Sequence, residues 1–162
     1  MNKIIILTIA IAVFSVGAST DLTKQNFEWY LQNHDWVELQ LKSGSEQVTV
    51  PLTNTLGIIW QYRDGAIGAE VAPMIVSALI FRTRQMLTWF SKHPEEFKTF
   101  VRRLPDDVFT DFSRTEGNVK ALKKQKLELA EAMTAFKDEK NLAPMVTNLV
   151  NALDRIKVRT ID

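Results

Sequence analysis

Most apolar positions along the chain recur three and four residues apart, the spacing of one helix face. Between Leu22 and Asn33, Phe27, Tyr30 and Leu31 share such a face, with Thr20 or Asp21 placed to cap its start. The period then shortens. Val37, Leu39 and Leu41 alternate with Glu38, Gln40 and Lys42, and beyond Ser43-Gly44-Ser45 the residues Val48, Val50 and Leu52 alternate again. Two period-2 runs around a glycine-containing loop predict a β-hairpin, which needs helices to pack against.

From Pro51 onward the pattern is helical. Leu56, Ile59, Trp60 and Arg63 mark a helix that ends at Asp64-Gly65, and Gly65 and Gly68 bracket a turn. Pro73 suits a first helical turn and opens a helix that could run to Lys92. Pro94-Glu95-Glu96 and Pro105-Asp106-Asp107 each place proline and two acids at a helix start, where the helix dipole favours negative charge. Phe97, Phe100, Val101 and Leu104 form the face of the first of these, and Val108, Phe109 and Phe112 that of the second. A longer helix is expected over about Asn118 to Lys140, and Pro144 opens the last, with Val146, Leu149, Val150, Leu153 and Ile156 as its buried stripe. The expected fold is mainly α: a single-domain helical bundle over residues 19–162 with a small N-terminal β-hairpin.

The first residues have a different character. Met1-Asn2-Lys3 supplies a positive start, Ile4 to Val16 runs 13 residues without a charge, and Gly17-Ala18-Ser19 follows. That order describes a secretory signal peptide over residues 1–18, cleaved near Ala18 or Ser19. The apolar run is shorter than the roughly 20 residues of a spanning helix, so no integral membrane protein is expected after cleavage. Loss of Lys3 leaves 19 basic against 19 acidic residues, where the whole chain carries a net charge of +1. The chain has no cysteine, which excludes disulfides, thiolate metal sites and cysteine nucleophiles. Asn26, Asn54, Asn118 and Asn148 also lack the serine or threonine of a glycan acceptor. An exported domain with neither feature points to a bacterial envelope, periplasmic or released.

Neutral charge and export argue against nucleic acid as a partner, and no phosphate-binding glycine loop occurs. His34 and His93 stand outside any paired metal-ligand spacing, so no metal or cofactor is expected. Ser77 or Ser91 with His93 would need a fold to assemble a triad, since no nucleophile elbow is present. Carboxylates offer a hydrolase alternative: Glu95, Glu96, Asp106, Asp107 and Asp111 already suit helix starts, whereas Glu70 lies in an apolar stretch where burial would raise its pKa. Trp60, Tyr62, Phe81, Trp89 and Phe90 offer a second alternative, the lining of a cavity for an apolar or lipid ligand.

Two features fit a contact surface. Phe27, Trp29, Tyr30 and Trp36 put more large aromatics into ten residues than one helix face and one strand face readily bury. Lys120, Lys123 and Lys124 follow helical spacing with Lys126 beside them, a face for an anionic envelope component or an acidic patch. The function expected by elimination is non-catalytic binding of another protein, as an inhibitor, immunity-like protein or adaptor. Trp29, Tyr30, Trp36, Lys120, Lys123 and Lys124 are its candidate contact residues.

Overall fold

The computed structural model describes residues 15–161, with side chains from Lys24 onward. The expected signal segment therefore lies outside the described residues up to residue 14. The fold is mainly α. Among the described residues eight helices follow one another: α1 (Ser15–Gln32), α2 (His34–Ser43), α3 (Glu46–Gln61), α4 (Gly65–Phe81), α5 (Thr83–Lys92), α6 (Pro94–Asp107), α7 (Glu116–Thr134) and α8 (Ala143–Arg155). Two short strands, β1 (Thr110–Asp111) and β2 (Arg159–Thr160), pair in parallel with Thr110 opposite Arg159.

The predicted hairpin is replaced by α2 and α3. Within Val37, Leu39 and Leu41, the first and last are also four residues apart and are fully buried on one helix face, while Leu39 points outward at 57% exposure. Val48 and Leu52 repeat the arrangement, with Val50 outside. Each period-2 run thus contains an i, i+4 pair: α2 buries both of its members, while α3 buries Leu52 with Thr49, Thr53, Leu56 and Ile59 and leaves Val48 half-buried. Glu38 and Lys42, set against one another in the alternation, form an i, i+4 ion pair at 2.7 Å.

Prolines account for the other departures. Pro94 and Pro144 do open helices, but Pro73 sits inside α4, Pro51 inside α3 and Pro105 in the last turn of α6. The true start of α4 is at Asp64, whose carboxylate accepts from the Ile67 N–H at 2.9 Å, so Gly65 and Gly68 are helical rather than a turn. Instead of running on to Lys92, the helix breaks at Arg82 and bends by 119° into α5. The Arg82 guanidinium holds the bend by donating to the Leu41 and Gly44 carbonyls, each at 2.7 Å. Residues Val108 to Phe112 form no helix; they turn into β1, and α7 ends at Thr134 rather than Lys140.

α4 is the centre of the molecule. Val71, Ala72, Met74, Ile75, Val76, Ala78 and Leu79 are buried over more than half of its circumference, and α2, α3, α5, α6 and α7 pack on it. Buried residues from α1 through α8 join in one core cluster. Among the described residues no single helix is long and apolar enough to cross a membrane; α4 and α5 reach that length only as the bent pair.

Candidate functional site

The front of the molecule carries an aromatic groove. On α1, Trp29 and Tyr30 are consecutive and so point about 100° apart. Tyr30 turns inward: its ring stacks on Phe27 with centroids 6.2 Å apart, and its hydroxyl donates to the Glu70 carbonyl at 3.0 Å. Burial pushes its phenol well above the ordinary tyrosine range. Tyr30 is therefore a core residue and leaves the candidate contact set. Trp29 turns outward at 38% exposure.

Trp36 reaches the same surface from α2. The chain breaks at Asn33, whose side-chain amide donates to the Trp29 carbonyl at 2.8 Å, and restarts so that Val37 is buried and Trp36 stays outside at 44% exposure. The two indoles meet edge to face, centroids 6.0 Å apart at 81°, a favoured aromatic geometry. Beneath them Val48, Pro51 and Leu52 of α3 complete a groove of about 340 Å³. Its remaining lining, Asn26, Gln47 and Thr55, is polar but uncharged. Large, half-exposed aromatic rings over an uncharged apolar floor are the composition of an interface hot spot.

The lysines do not form one patch. Lys124 pairs with Glu128 at 3.0 Å and faces a groove between α2, α4 and α7, whereas Lys123 faces the opposite side of α7, toward Ile156 and Lys157. Lys120 is exposed and lines neither groove. None of these lysines lines the tryptophan groove. The α3 contribution to the aromatic groove is not visible in the sequence, where Val48 follows a strand period and Pro51 a helix start.

The residues considered for catalysis have structural partners. His93 stacks on Trp89 with centroids 4.1 Å apart, its Nδ1 lies 2.8 Å from the Trp89 carbonyl, and Ser91 donates to Thr88 instead of to His93. His34 packs against Tyr30 beside Asp35. Glu95 pairs with Lys98, Glu96 with Arg63, Asp106 with Arg159 and Asp107 with Arg103. Glu70 is exposed to solvent and not enclosed by the apolar stretch around it. Among the described residues no three histidine, aspartate or glutamate side chains gather as a metal site. Trp60 and Phe90 are packed into the core while Tyr62 and Phe81 are exposed, so these aromatics do not line a common cavity.

Asp111 is a fully buried carboxylate. Its Oδ1 accepts from Asn118 Nδ2 at 2.6 Å, Ser113 Oγ at 2.7 Å and the Ser113 N–H at 2.8 Å, tying β1 to the start of α7. The Asn118 hydrogen bond, and then those from Ser113, hold its pKa below the ordinary carboxylate range. A folded-state pKa lowered in this way contributes stability above the unfolded value of about 3.9 and loses it as pH falls through the folded value. Asp111→Asn should therefore melt below the wild type at neutral pH, with the gap closing as pH falls below about 4. Thermal melts of both chains from neutral to acid pH check this; a gap that stays constant would sink it.

Comparison with protein-family models, curated proteins and solved structures finds no match. The functional reading accordingly rests on this geometry.

Proposed function

We propose that the chain is an exported binding protein of the bacterial envelope that seats another protein on the Trp29–Trp36 groove, acting as an inhibitor, immunity-like protein or adaptor. The edge-to-face tryptophan pair carries the reading. Both rings are half exposed above Val48, Pro51 and Leu52, although the core takes Tyr30 and Val37 from the adjacent positions. Leaving two indoles in water forgoes the roughly 1.5–3 kcal/mol that burial of a large apolar side chain supplies, and a partner would recover it. Export is supported by the charge, length and small-residue pattern of residues 1–18.

The test uses the chain as bait on envelope extract, beside the Trp29→Ser and Trp36→Ser variants. A stoichiometric protein held by the wild type should bind about thirtyfold more weakly to either variant, the effect of losing a hot-spot aromatic worth about 2 kcal/mol. A partner held equally by all three chains removes the groove from the interface. Mass spectrometry of the N-terminus in fractionated cells tests export separately, with cleavage near Ala18 or Ser19 as the expected result.

A further inference from the structure

Four grooves on the described surface differ in how their charges are met. The tryptophan groove is lined by uncharged residues. The groove between α2, α4 and α7 neutralises itself, since Lys42 pairs with Glu38, Lys124 pairs with Glu128, and Lys42 lies over the Phe81 ring. The groove beside the strands contains the Asp106–Arg159 ion pair.

The fourth is different. Between α7 and the end of α8 lies a groove of about 470 Å³ lined by Lys123, Lys126 and Lys157 with Asp154 as its one acid. None of the three lysines is in an ion pair among the described residues. Lys126 is held in place by donating to the Ile156 carbonyl at 2.8 Å, which leaves ammonium protons to spare. The rest of the lining is aliphatic: Leu127, 62% exposed in mid-helix, with Ile156 and Val158.

We propose that this groove binds a single anionic amphiphile, its acyl chain along Leu127, Ile156 and Val158 and its head group between Lys123 and Lys157. The two halves of the lining call for the two halves of such a molecule. A free phosphate would meet the lysines and leave Leu127 in water, and a neutral lipid would cover Leu127 and leave the lysines without a counter-charge. An acidic peptide would bring backbone N–H and C=O groups, and no neutral hydrogen-bonding side chain lines the groove to meet them. Lysine suits a phosphate or carboxylate head as a compact point charge. The proposal stands independently of the tryptophan groove.

Calorimetric titration of the full chain tests it, with lysophosphatidylglycerol below its micelle concentration as the probe. Lysophosphatidylcholine, inorganic phosphate and a peptide of alternating glutamate and leucine serve as comparison ligands. The expected result is binding of lysophosphatidylglycerol, weakened by salt and at least about tenfold tighter than any of the other three. Lys123→Gln with Lys157→Gln should reduce it about tenfold or more while leaving the melting temperature unchanged. Leu127→Asp should abolish it; if that chain fails to fold, the lysine pair decides. The variants keep residues 1–18, so a loss that follows the groove substitutions cannot arise at the N-terminus. Trp29→Ser with Trp36→Ser should leave this affinity intact. Equal binding of both lysolipids, tighter binding of the peptide, no binding at all, or unchanged affinity in the lysine variant overturns the proposal.

Discussion

Trp60→Ala is expected to destabilise the fold by about 3–5 kcal/mol, the range for deleting a fully buried indole. Trp60 makes three contacts where α3 meets α6. Its Nε1–H donates to the Glu96 carbonyl at 3.2 Å, its ring meets Phe100 edge to face at 5.4 Å, and the Arg63 guanidinium lies 4.0 Å from its ring centroid. Arg63 is itself committed there, donating to the Trp60 carbonyl and to Glu96 Oε2 at 2.5 Å. Alanine at position 60 would open a cavity between the two helices and take from the part-buried Arg63 guanidinium the ring it rests on. Domains are stable by only about 5–15 kcal/mol in total, so this one change removes a large share. The melting temperature should fall by about 10 °C or more. Trp60→Phe keeps a ring against Phe100 and loses the indole hydrogen bond, and its loss should be clearly smaller. Circular dichroism melts of the three chains measure both effects. A Trp60→Ala chain melting within a degree or two of wild type would show that α3 and α6 are held by other contacts.

The part of the fold legible in the sequence is the part where one face is apolar and the opposite face polar. On α8, Val146, Leu149 and Leu153 are buried as their spacing implies, and on α6 the same holds for Phe97, Phe100 and Leu104. Where apolar residues stand on more than one side, the sequence admits two periods. Val37, Leu39 and Leu41 satisfy a strand completely and a helix in two positions of three, and only the surface of α4 shows which two are needed. Proline is ambiguous for a related reason. A fixed φ near −65° is helical, and the lost hydrogen bond and the clash with the preceding turn's carbonyl are tolerated where surrounding packing holds the helix, as around Pro73 between the buried Ala72 and Met74. The strands β1 and β2 are two residues each, too short for any periodic signal.

The candidate sites divide in the same way. Trp29, Tyr30 and Trp36 were legible as an aromatic excess, but which of two neighbouring rings turns inward is decided by the direction of α1 relative to the Glu70 carbonyl. The lysines at positions 120, 123 and 124 share a face on α7 alone; α4 and α8, which pack on α7, assign Lys124 to one groove and Lys123 to another. Lys157 and Leu127 carried no signal, because an exposed leucine and a lone lysine are ordinary until a groove brings them together.

Gly57→Ala sets two effects of opposite sign against each other. Alanine inside a helix is favoured over glycine by about 1 kcal/mol, so α3 taken alone would be stabilised. In the folded chain an added Cβ would lie 2.2 Å from Trp89 Cε2 and 2.5 Å from Cδ2, far inside contact distance. Those atoms belong to the fused part of the indole, which has no flexible end to move aside. The ring is also fixed on its other sides, stacked on His93 at 16° and 4.1 Å and edge-on to Phe90 at 5.3 Å. Relief therefore requires α3 and α5 to separate or the indole to leave its stack, an overpacking cost of about 1–3 kcal/mol or more. The clash wins, and Gly57→Ala should lower the melting temperature by about 2–8 °C. The sign should reverse where the ring is absent. In a Trp89→Leu chain, itself destabilised, adding Gly57→Ala should be neutral or slightly stabilising, since only the helix term then remains. The two substitutions are in contact, so this departure from additivity is the direct measure of the clash. A Gly57→Ala chain that melts at or above wild type would show that α3 can move away from Trp89 at a cost below the helix preference of alanine.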